Sequence, residues 1–337
     1  PLFCAKGVCP AIIDKTIVKW DGSHPTKWFA EKIAPLLATY FNAQKSSSQV
    51  DIAGLLESYR EMRRDVVSAV QQVQSKMPMP IAKQNESILQ QPASALDPET
   101  VISCESKLVY RHCFFGSPSA KKFGLLIGDS HLQMLRNAFS PGMSQGMEPV
   151  RYEEFSAGNC PNTFVHLNRT EMFTRDKTLY LNCLEMHKQV SSVLAKKKYD
   201  FIVLSDNSLK QLPDNLYEQG FRQFLRQAKK ASKNIIVIGQ TPYWKLASTC
   251  LNKKLNNANE CSGTVTSNLV DHLQMQQRVV KEAGAKFVDM TKFLCSANVC
   301  PLVINGLPVA TDGSHVTWQY AKRIGLPMLY ELREYLL

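Results

Sequence analysis

The chain has 337 residues, 44% of them hydrophobic, and a formal net charge of +11, a composition that can build one large α/β domain plus an appendage. Glycine and proline occur at ordinary levels, which excludes a fibrous repeat and a largely disordered chain. No apolar run reaches the roughly 18 residues needed to span a bilayer. The Lys and Arg residues are dispersed without the spacing of a nucleic-acid-binding motif, so nucleic acid is not an expected partner.

The N-terminal segment repeats part of the C-terminal one. Residues 4–24 align without a gap on residues 295–315 and share two cysteines, a Cys-Pro step and the sequence Asp-Gly-Ser-His. We interpret residues 1–44 as a partial repeat, the closing part of one domain placed before a complete second copy. A segment of about 40 residues is at the lower limit of independent folding. We therefore expect it to pack against another surface, either on this chain or on a repeat-related partner chain.

The pattern of residues 45–102 predicts a helical linker. Apolar residues recur at helical spacing from Asp51 to about Lys76, and two prolines shortly after Lys76 end the pattern. Because one face of this helix is apolar, we expect it to pack on a domain rather than bind a separate partner.

From residue 103 to residue 337, apolar strand patterns alternate with helical patterns. Strands are predicted at 123–129, 150–156, 200–205, 234–239 and 285–290, and helices at about 131–139, 175–197, 214–232, 264–284 and 317–335. This alternation predicts a flavodoxin-like three-layer α/β/α sandwich around a central parallel sheet of about five strands. Right-handed crossovers place the C-terminal ends of those strands along one edge, where open α/β sheets bind their ligands.

The ten cysteines fall in close pairs along the chain: Cys4 and Cys9, Cys104 and Cys113, Cys160 and Cys183, Cys250 and Cys261, and Cys295 and Cys300. An even count of cysteines, most of them in loops between regular elements, indicates disulfides and an oxidising compartment. We therefore expect an extracytoplasmic protein that is periplasmic, secreted or lumenal. A zinc site is the alternative, but the spacings lack Cys-x-x-Cys pairs, and no metal is expected.

A serine follows the first predicted strand of this domain. The apolar run from Phe123 stops at Gly128-Asp-Ser-His131, which places Ser130 at a strand-to-helix turn. Near the C-terminus, Asp312-Gly-Ser-His315 provides an acid that can orient the imidazole of a base three residues later. The same residues have plainer interpretations, because Asp312 suits a turn and His315 suits a surface loop. Taken together with Ser130, they predict a Ser-His-Asp triad.

The Gly-Asp-Ser and Asp-x-x-His sequences resemble those of the SGNH (GDSL-like) hydrolase superfamily. More narrowly, residues 103–337 resemble the SGNH domains that accompany integral-membrane O-acyltransferases, which modify glycans. That narrower resemblance depends on Gly128-Asp-Ser-His131, on the pair of Cys104 and Cys113 before it and on the loop from Leu294-Cys295 to Cys300.

The resemblance implies roles for five residues. Ser130 is the nucleophile, His315 is the base and Asp312 is the acid that orients the base. Asp129 and His131 are expected to shape the pocket, although His131 is equally well explained as a polar residue in the first turn of a helix.

The resemblance also implies an oxyanion hole, in which the backbone N–H of Ser130 is joined by a glycine and an asparagine. Gly158 and Asn207 occupy suitable positions after the second and third predicted strands. Asn159 is a competitor to Gly158, since both strand ends are rich in residues that form turns.

These features predict an extracytoplasmic serine esterase or O-acyltransferase that acts on a carbohydrate or polysaccharide, uses no cofactor and moves acetyl groups. By resemblance, a membrane acyltransferase is a candidate partner. Two alternatives stay open: a catalytically inactive glycan-binding or assembly module with the same fold, and a lipid esterase.

Overall fold

The computed structural model of the chain describes residues 12–13, 16–17, 51–91, 102–105, 109–139, 150–164, 177–210, 213–245, 247–253 and 258–336. The chain forms two compact units, Pro1–Val50 and Asp51–Leu337. None of the helices within the described ranges is both long enough and apolar enough to cross a membrane.

The described strands and helices are numbered in chain order, and all of them except β1 and β2 belong to the second unit. The strands are β1 (Ile12–Ile13), β2 (Thr16–Ile17), β3 (Ile102–Cys104), β4 (Arg111–Gly116), β5 (Lys122–Gly128), β6 (Val150–Ser156), β7 (Phe201–Ser205), β8 (Ile235–Ile238), β9 (Gly263–Thr264), β10 (Lys286–Val288), β11 (Val299–Cys300), β12 (Val303–Ile304) and β13 (Leu307–Pro308). The helices are α1 (Ile52–Gln74), α2 (Ser130–Leu135), α3 (Lys177–Lys196), α4 (Asp214–Ala231), α5 (Ala247–Asn252), α6 (Ala258–Cys261), α7 (Ser267–Glu282), α8 (Thr291–Leu294), α9 (Trp318–Arg323) and α10 (Gly325–Leu336).

The described part of the first unit is a hairpin. β1 pairs antiparallel with β2, with Ile12 opposite Ile17. In the second unit, β12 and β13 form a hairpin of the same register at the positions that the sequence repeat aligns, with Val303 opposite Pro308. The two copies of the repeat therefore share this local structure. The packing of residues 1–44, which the sequence predicts, lies outside the described residues.

A seven-stranded mixed sheet forms the centre of the second unit as described, in the order β10-β8-β7-β5-β6-β4-β3. The five strands from β10 to β6 are parallel to one another, whereas β4 is antiparallel to β6 and β3 is antiparallel to β4. Helices cover both faces, which gives the three-layer α/β/α arrangement that the sequence predicts.

The five predicted strands are the five parallel ones, with bounds that differ from the prediction by at most two residues. The strand pair β3 and β4 was not predicted. It lies at the antiparallel edge of the sheet, with Cys104 opposite Cys113. The alternation of strands and helices that predicts the sheet does not extend to this pair, because only six residues separate β3 from β4, too few for a crossover helix.

The central strands are buried between two helical layers. Every residue of β7 and β8 is buried, as expected for parallel strands covered on both faces. On one face, β5, β7 and β8 pack with α3, α4 and α7 in a cluster that includes Ile127, Phe221 and Val280. Burying a side chain of this size contributes about 1.5–3 kcal/mol relative to leaving it exposed. On the other face, α2 lies against β5, β6 and β7, and α9 packs against α2.

Helix α1 is part of the second unit and is the amphipathic helix predicted from the sequence. Its N-terminus is capped by Asp51, whose Oδ1 accepts a hydrogen bond from Gly54 N at 2.9 Å. Its buried face includes Leu55, Met62 and Val66, and the helix lies against α10.

Four disulfides close within the described residues, and they are four of the five pairs predicted from the sequence: Cys104–Cys113, Cys160–Cys183, Cys250–Cys261 and Cys295–Cys300. The second of them ties the loop after β6 to α3. Because disulfides persist in oxidising environments, these bridges indicate an extracytoplasmic domain.

The fifth predicted disulfide joins Cys4 to Cys9. Both Cys4 and Cys9 lie outside the described residues, so this bridge stays a prediction. In the sequence repeat, Cys4 aligns with Cys295 and Cys9 aligns with Cys300, the pair that closes in the second unit.

The register of β5 determines where the site forms. Gly128, the last residue of β5, lies opposite Ser156 of β6 on one side and opposite Ser205 of β7 on the other. The loops that follow these three strands therefore begin at the same level of the sheet. Glycine is required at position 128, because a Cβ there would lie 1.9 Å from the Ser205 carbonyl oxygen.

Candidate active site

Ser130 begins α2 directly after β5 and is half-buried. The preceding Asp129 caps the helix, since its Oδ1 accepts a hydrogen bond from His131 N at 2.8 Å. This cap fixes the start of α2 at the C-terminal edge of the sheet. The Ser130 side chain is therefore held at the edge where parallel α/β sheets bind their ligands.

His315 meets Ser130 from the far end of the chain. Its Nε2 lies 2.8 Å from Ser130 Oγ, and its Nδ1 lies 2.7 Å from Asp312 Oδ2. Both distances are in the range of hydrogen bonds. The carboxylate favours the tautomer in which Nδ1 carries the proton, which leaves Nε2 to accept a proton from the hydroxyl. This arrangement is the geometry of a serine nucleophile, a base and an acid that orients the base.

A tight turn holds Asp312 and His315 together. Asp312 Oδ1 accepts hydrogen bonds from the backbone N–H groups of Ser314 at 2.8 Å and His315 at 2.7 Å. The turn is also tied to the loop after β8, because Trp244 N donates to the Gly313 carbonyl at 2.8 Å. One oxygen of Asp312 thus forms the turn while the other contacts the imidazole.

The surroundings change the pKa of both residues in this turn. Burial raises the pKa of Asp312, but hydrogen bonds from His315 and Ser314 outweigh burial and lower that pKa to about 2. Burial lowers the pKa of His315, but the hydrogen bond to Asp312 and the charges of Asp312 and Asp129 outweigh burial, so that pKa lies above its usual 6.5. Asp312 is therefore ionised at neutral pH and stabilises a positive charge on the imidazole.

Asn207 is half-buried in the loop after β7. Its backbone N–H donates to Asp129 Oδ2 at 3.0 Å, which ties this loop to the start of α2. Its side-chain Oδ1 accepts a hydrogen bond from the hydroxyl of Tyr243. The amide oxygen is therefore engaged, and Nδ2 is the end of this side chain that can donate.

Gly158 is half-buried in the loop after β6, two residues beyond Ser156. Leu179 Cδ2 is the one described atom that a Cβ at this position would approach within 4 Å, at 3.7 Å, so lack of space does not dictate glycine here. The competing residue Asn159 is exposed and has a φ of 53°. Both residues lie in a loop at the edge of the sheet that carries Ser130.

His131 is buried and links α2 to the turn that carries His315. Its Nδ1 lies 3.2 Å from the Thr241 hydroxyl, which donates to the Ser314 carbonyl at 3.0 Å. The centroids of the His131 and His315 rings are 5.1 Å apart. These contacts place His131 beside His315.

Three further residues at this edge follow β8, namely Gln240, Thr241 and Tyr243. The sequence predicts that residues 239–243 line this edge, because the ends of all parallel strands meet there, but it predicts no individual role for these three residues. Their residue types gave no further indication, since Gln, Thr and Tyr are common in loops.

One group of side chains in the described part of the chain has ligand atoms of the types and spacing found in metal sites, and it consists of Cys160, Cys183 and His187. The two sulfurs form a disulfide, so neither is the thiolate that binds a metal. His187 Nε2 also lies 3.0 Å from the Pro161 carbonyl oxygen. In this form the group is a structural bridge between the loop after β6 and α3.

The sequence matches the family described as an SGNH domain fused to AT3 domains over residues 98–328. No curated protein matches the sequence. Among solved structures, the lipopolysaccharide acetyltransferase periplasmic domain of Salmonella ser. Paratyphi A is 18% identical with a TM-score of 0.47, and the match covers 64% of this chain and 84% of that chain. A catalytic mutant of an acetylxylan esterase from Geobacillus stearothermophilus is 11% identical with a TM-score of 0.36, and that match covers 63% of this chain and 94% of that chain.

Proposed function

The chain belongs to the family of SGNH domains fused to AT3 domains, and on that premise we propose that it is a serine-dependent esterase or O-acyltransferase that moves acetyl groups on a carbohydrate. Ser130 is the nucleophile, His315 is the base and Asp312 orients the base. All three residues lie within the span that matches the family.

The proposal is carried by the contacts of His315, which lies 2.8 Å from Ser130 Oγ through Nε2 and 2.7 Å from Asp312 Oδ2 through Nδ1. Ser130 and His315 are 185 positions apart in the sequence. Forming the turn at Asp312 does not by itself require a serine at the imidazole, so this meeting supports a chemical role for the hydroxyl.

In the first half of the reaction, His315 Nε2 accepts the proton of the Ser130 hydroxyl while Oγ attacks the carbonyl carbon of the acyl donor. The tetrahedral intermediate carries its negative charge on the former carbonyl oxygen. The imidazolium then donates its proton to the leaving group, the bond between the acyl carbon and the leaving group breaks, and an acyl ester of Ser130 remains.

In the second half, His315 accepts a proton from water or from a sugar hydroxyl, whose oxygen attacks the acyl ester. The second tetrahedral intermediate collapses, and the imidazolium returns a proton to Ser130 Oγ. Water as the acceptor gives hydrolysis, whereas a sugar hydroxyl gives transfer. Asp312, ionised at neutral pH because its pKa is lowered to about 2, stabilises the imidazolium in both halves.

Three groups are proposed to stabilise the oxyanion: the backbone N–H of Ser130, the Gly158 loop and the Nδ2 of Asn207. The strand register supports this set, because Gly128, Ser156 and Ser205 are aligned at the ends of the three strands before these groups. Losing one such donor typically lowers kcat by about 10²–10³-fold.

The acceptor and the location are further parts of the proposal. Carbohydrate is proposed because SGNH domains that accompany membrane O-acyltransferases modify glycans, and a membrane acyltransferase is proposed as a partner for the same reason. The four disulfides support a periplasmic, secreted or lumenal location.

The test is release of a chromophore from an aryl acetate by the wild-type protein, Ser130→Ala and Ser117→Ala. Ser117 is a matched control, because its hydroxyl contacts Ser119 in a loop between β4 and β5, away from the site. We expect turnover by the wild type and by Ser117→Ala and loss of at least about 10³-fold in Ser130→Ala. Equal turnover by all three proteins would reject Ser130 as the nucleophile.

A further inference from the structure

A chain of hydrogen bonds runs from Leu209, after β7, through Gln240 and Tyr243, after β8, and ends on Asn207. Leu209 N donates to Gln240 Oε1 at 3.0 Å, and Gln240 Nε2 donates to the Tyr243 hydroxyl at 2.9 Å. The Tyr243 hydroxyl in turn donates to Asn207 Oδ1. Four residues from two neighbouring loops thus form one continuous path.

The direction of this path is fixed by its first member. A backbone N–H can only donate, so the atom of Gln240 that faces Leu209 is the amide oxygen, and the other end of that amide donates. Because the Tyr243 oxygen accepts from Gln240, its one proton is directed to Asn207. The atom of Asn207 that faces Tyr243 is therefore Oδ1, and Nδ2 is left as the donor.

Burial strengthens this arrangement. Gln240 is 1% exposed, so rotating its amide would leave buried polar atoms without partners. Burial, with the charge of Asp129 adding to its effect, raises the pKa of Tyr243 to about 12. The phenol therefore keeps its proton, and its role as a donor, throughout the neutral range.

Asn207 is also held through its main chain, because its N–H donates to the buried carboxylate of Asp129 at 3.0 Å. One contact fixes the backbone and the other fixes the rotation of the side-chain amide. The terminal torsion of an asparagine is broad and roughly two-fold, so the second contact selects which of the two amide atoms is presented.

We propose that Tyr243, supported by Gln240, is a positioning residue that holds the Asn207 amide with Nδ2 available to the oxyanion. The inference rests on the proposed function, because it requires Asn207 to donate to the oxyanion. Without the Tyr243 hydroxyl, the amide can rotate and present its oxygen, which repels the negative charge of the intermediate.

The test is a double-mutant cycle, with kcat and KM measured on one aryl acetate for Asn207→Ala, Tyr243→Phe and the double variant. We expect kcat to fall by about 10²–10³-fold in Asn207→Ala and by about 10–100-fold in Tyr243→Phe, with KM nearly unchanged. The double variant is expected to be no slower than Asn207→Ala, because Tyr243 acts through Asn207.

The matched control is Tyr199→Phe, which removes a tyrosine hydroxyl that donates to buried Glu153 at 2.7 Å, near the opposite end of β7. It should leave kcat unchanged. If Tyr243→Phe does not fold, Gln240→Met replaces it in the cycle, with the same expectation of a loss that is absent in the Asn207→Ala background.

Wild-type kcat in Tyr243→Phe overturns the inference, as does a double variant in which the two losses multiply. Ser130→Ala, measured in parallel, distinguishes failure of this inference from failure of the proposed function. An inactive Ser130→Ala together with an unaffected Tyr243→Phe rejects the positioning role alone, whereas an active Ser130→Ala rejects the catalytic mechanism itself.

Discussion

The carboxylate of Asp129 accepts a hydrogen bond from Asn207 N at 3.0 Å and another from His131 N at 2.8 Å. Asp129 is fully buried at the end of β5. One side chain thus joins the loop after β7 to the first turn of α2. It holds together the two segments that carry the proposed nucleophile and the proposed side-chain donor to the oxyanion.

Replacing this carboxylate should weaken both the fold and the site. Asp129→Ala is expected to lower the free energy of unfolding by about 2–4 kcal/mol, because two backbone N–H groups lose their acceptor, and to lower kcat. Urea unfolding and ester turnover measure the two effects. Asp129→Asn keeps one acceptor oxygen and should lose less stability, and a wild-type urea midpoint in Asp129→Ala would contradict the account.

The pH dependence of turnover should report the ionisation of His315. The base must be neutral, so kcat/KM is expected to rise with pH through an apparent pKa above 6.5, the direction set by Asp312 and Asp129. Asp312→Asn removes the carboxylate that does most to raise the pKa of His315, while burial still lowers that pKa. The rising limb should therefore move to lower pH, and kcat should fall by about 10²–10⁴-fold. An unmoved limb would show that His315 does not titrate in the rate-limiting step.

The contact between Asp312 and His315 should also stabilise the fold within a limited pH window. The pKa of Asp312 is lowered from 3.8 to about 2, so its contribution is present above pH 3.8 and is lost as pH falls toward 2. The pKa of His315 is raised, so its contribution is complete below pH 6.5 and is lost as pH rises through the raised value. The wild type should therefore exceed Asp312→Asn in unfolding free energy most between about pH 4 and pH 6.5. A difference independent of pH from 2 to 9 would argue against this linkage.

The buried ion pair between Arg136 and Glu154 provides a test of how charge is accommodated in the core. Arg136 Nε lies 2.5 Å from Glu154 Oε2, and the side chains are 1% and 0% exposed. Arg136→Met leaves the Glu154 carboxylate buried without a cation beside it and should cost about 3–5 kcal/mol of stability. Arg136→Met combined with Glu154→Gln removes both charges and should recover much of that loss, as measured by urea unfolding. A double variant as unstable as the sum of the single variants would contradict this coupling.

Much of the fold follows from the sequence, because apolar strands that alternate with amphipathic helices have few ways to pack. The run that ends at Gly128 is an example, since it predicts both the buried strand β5 and the turn at Ser130. The four described disulfides could be predicted because their members are close in sequence. The strands β3 and β4 could not be predicted, because a short antiparallel pair joined by a disulfide lacks the alternation of strands and helices that predicts parallel strands.

The site was only partly predictable. The spacing from Asp312 to His315 indicates a local contact, whereas the meeting of His315 with Ser130 depends on how the whole sheet is ordered. Tyr243 is an example of the part that could not be predicted, because its contact with Asn207 depends on β7 and β8 being neighbours in the sheet. A loop tyrosine carries no sign of that contact in the sequence.

The central claim is that the Ser130 hydroxyl is activated by His315, and labelling with a fluorophosphonate probe followed by mapping of the modified peptide tests it most directly. The account predicts stoichiometric labelling of the wild-type protein at Ser130, none in Ser130→Ala and strongly slowed labelling in His315→Ala. A wild-type protein that does not label, or that labels at another serine, would contradict the account and favour a catalytically inactive module with the same fold.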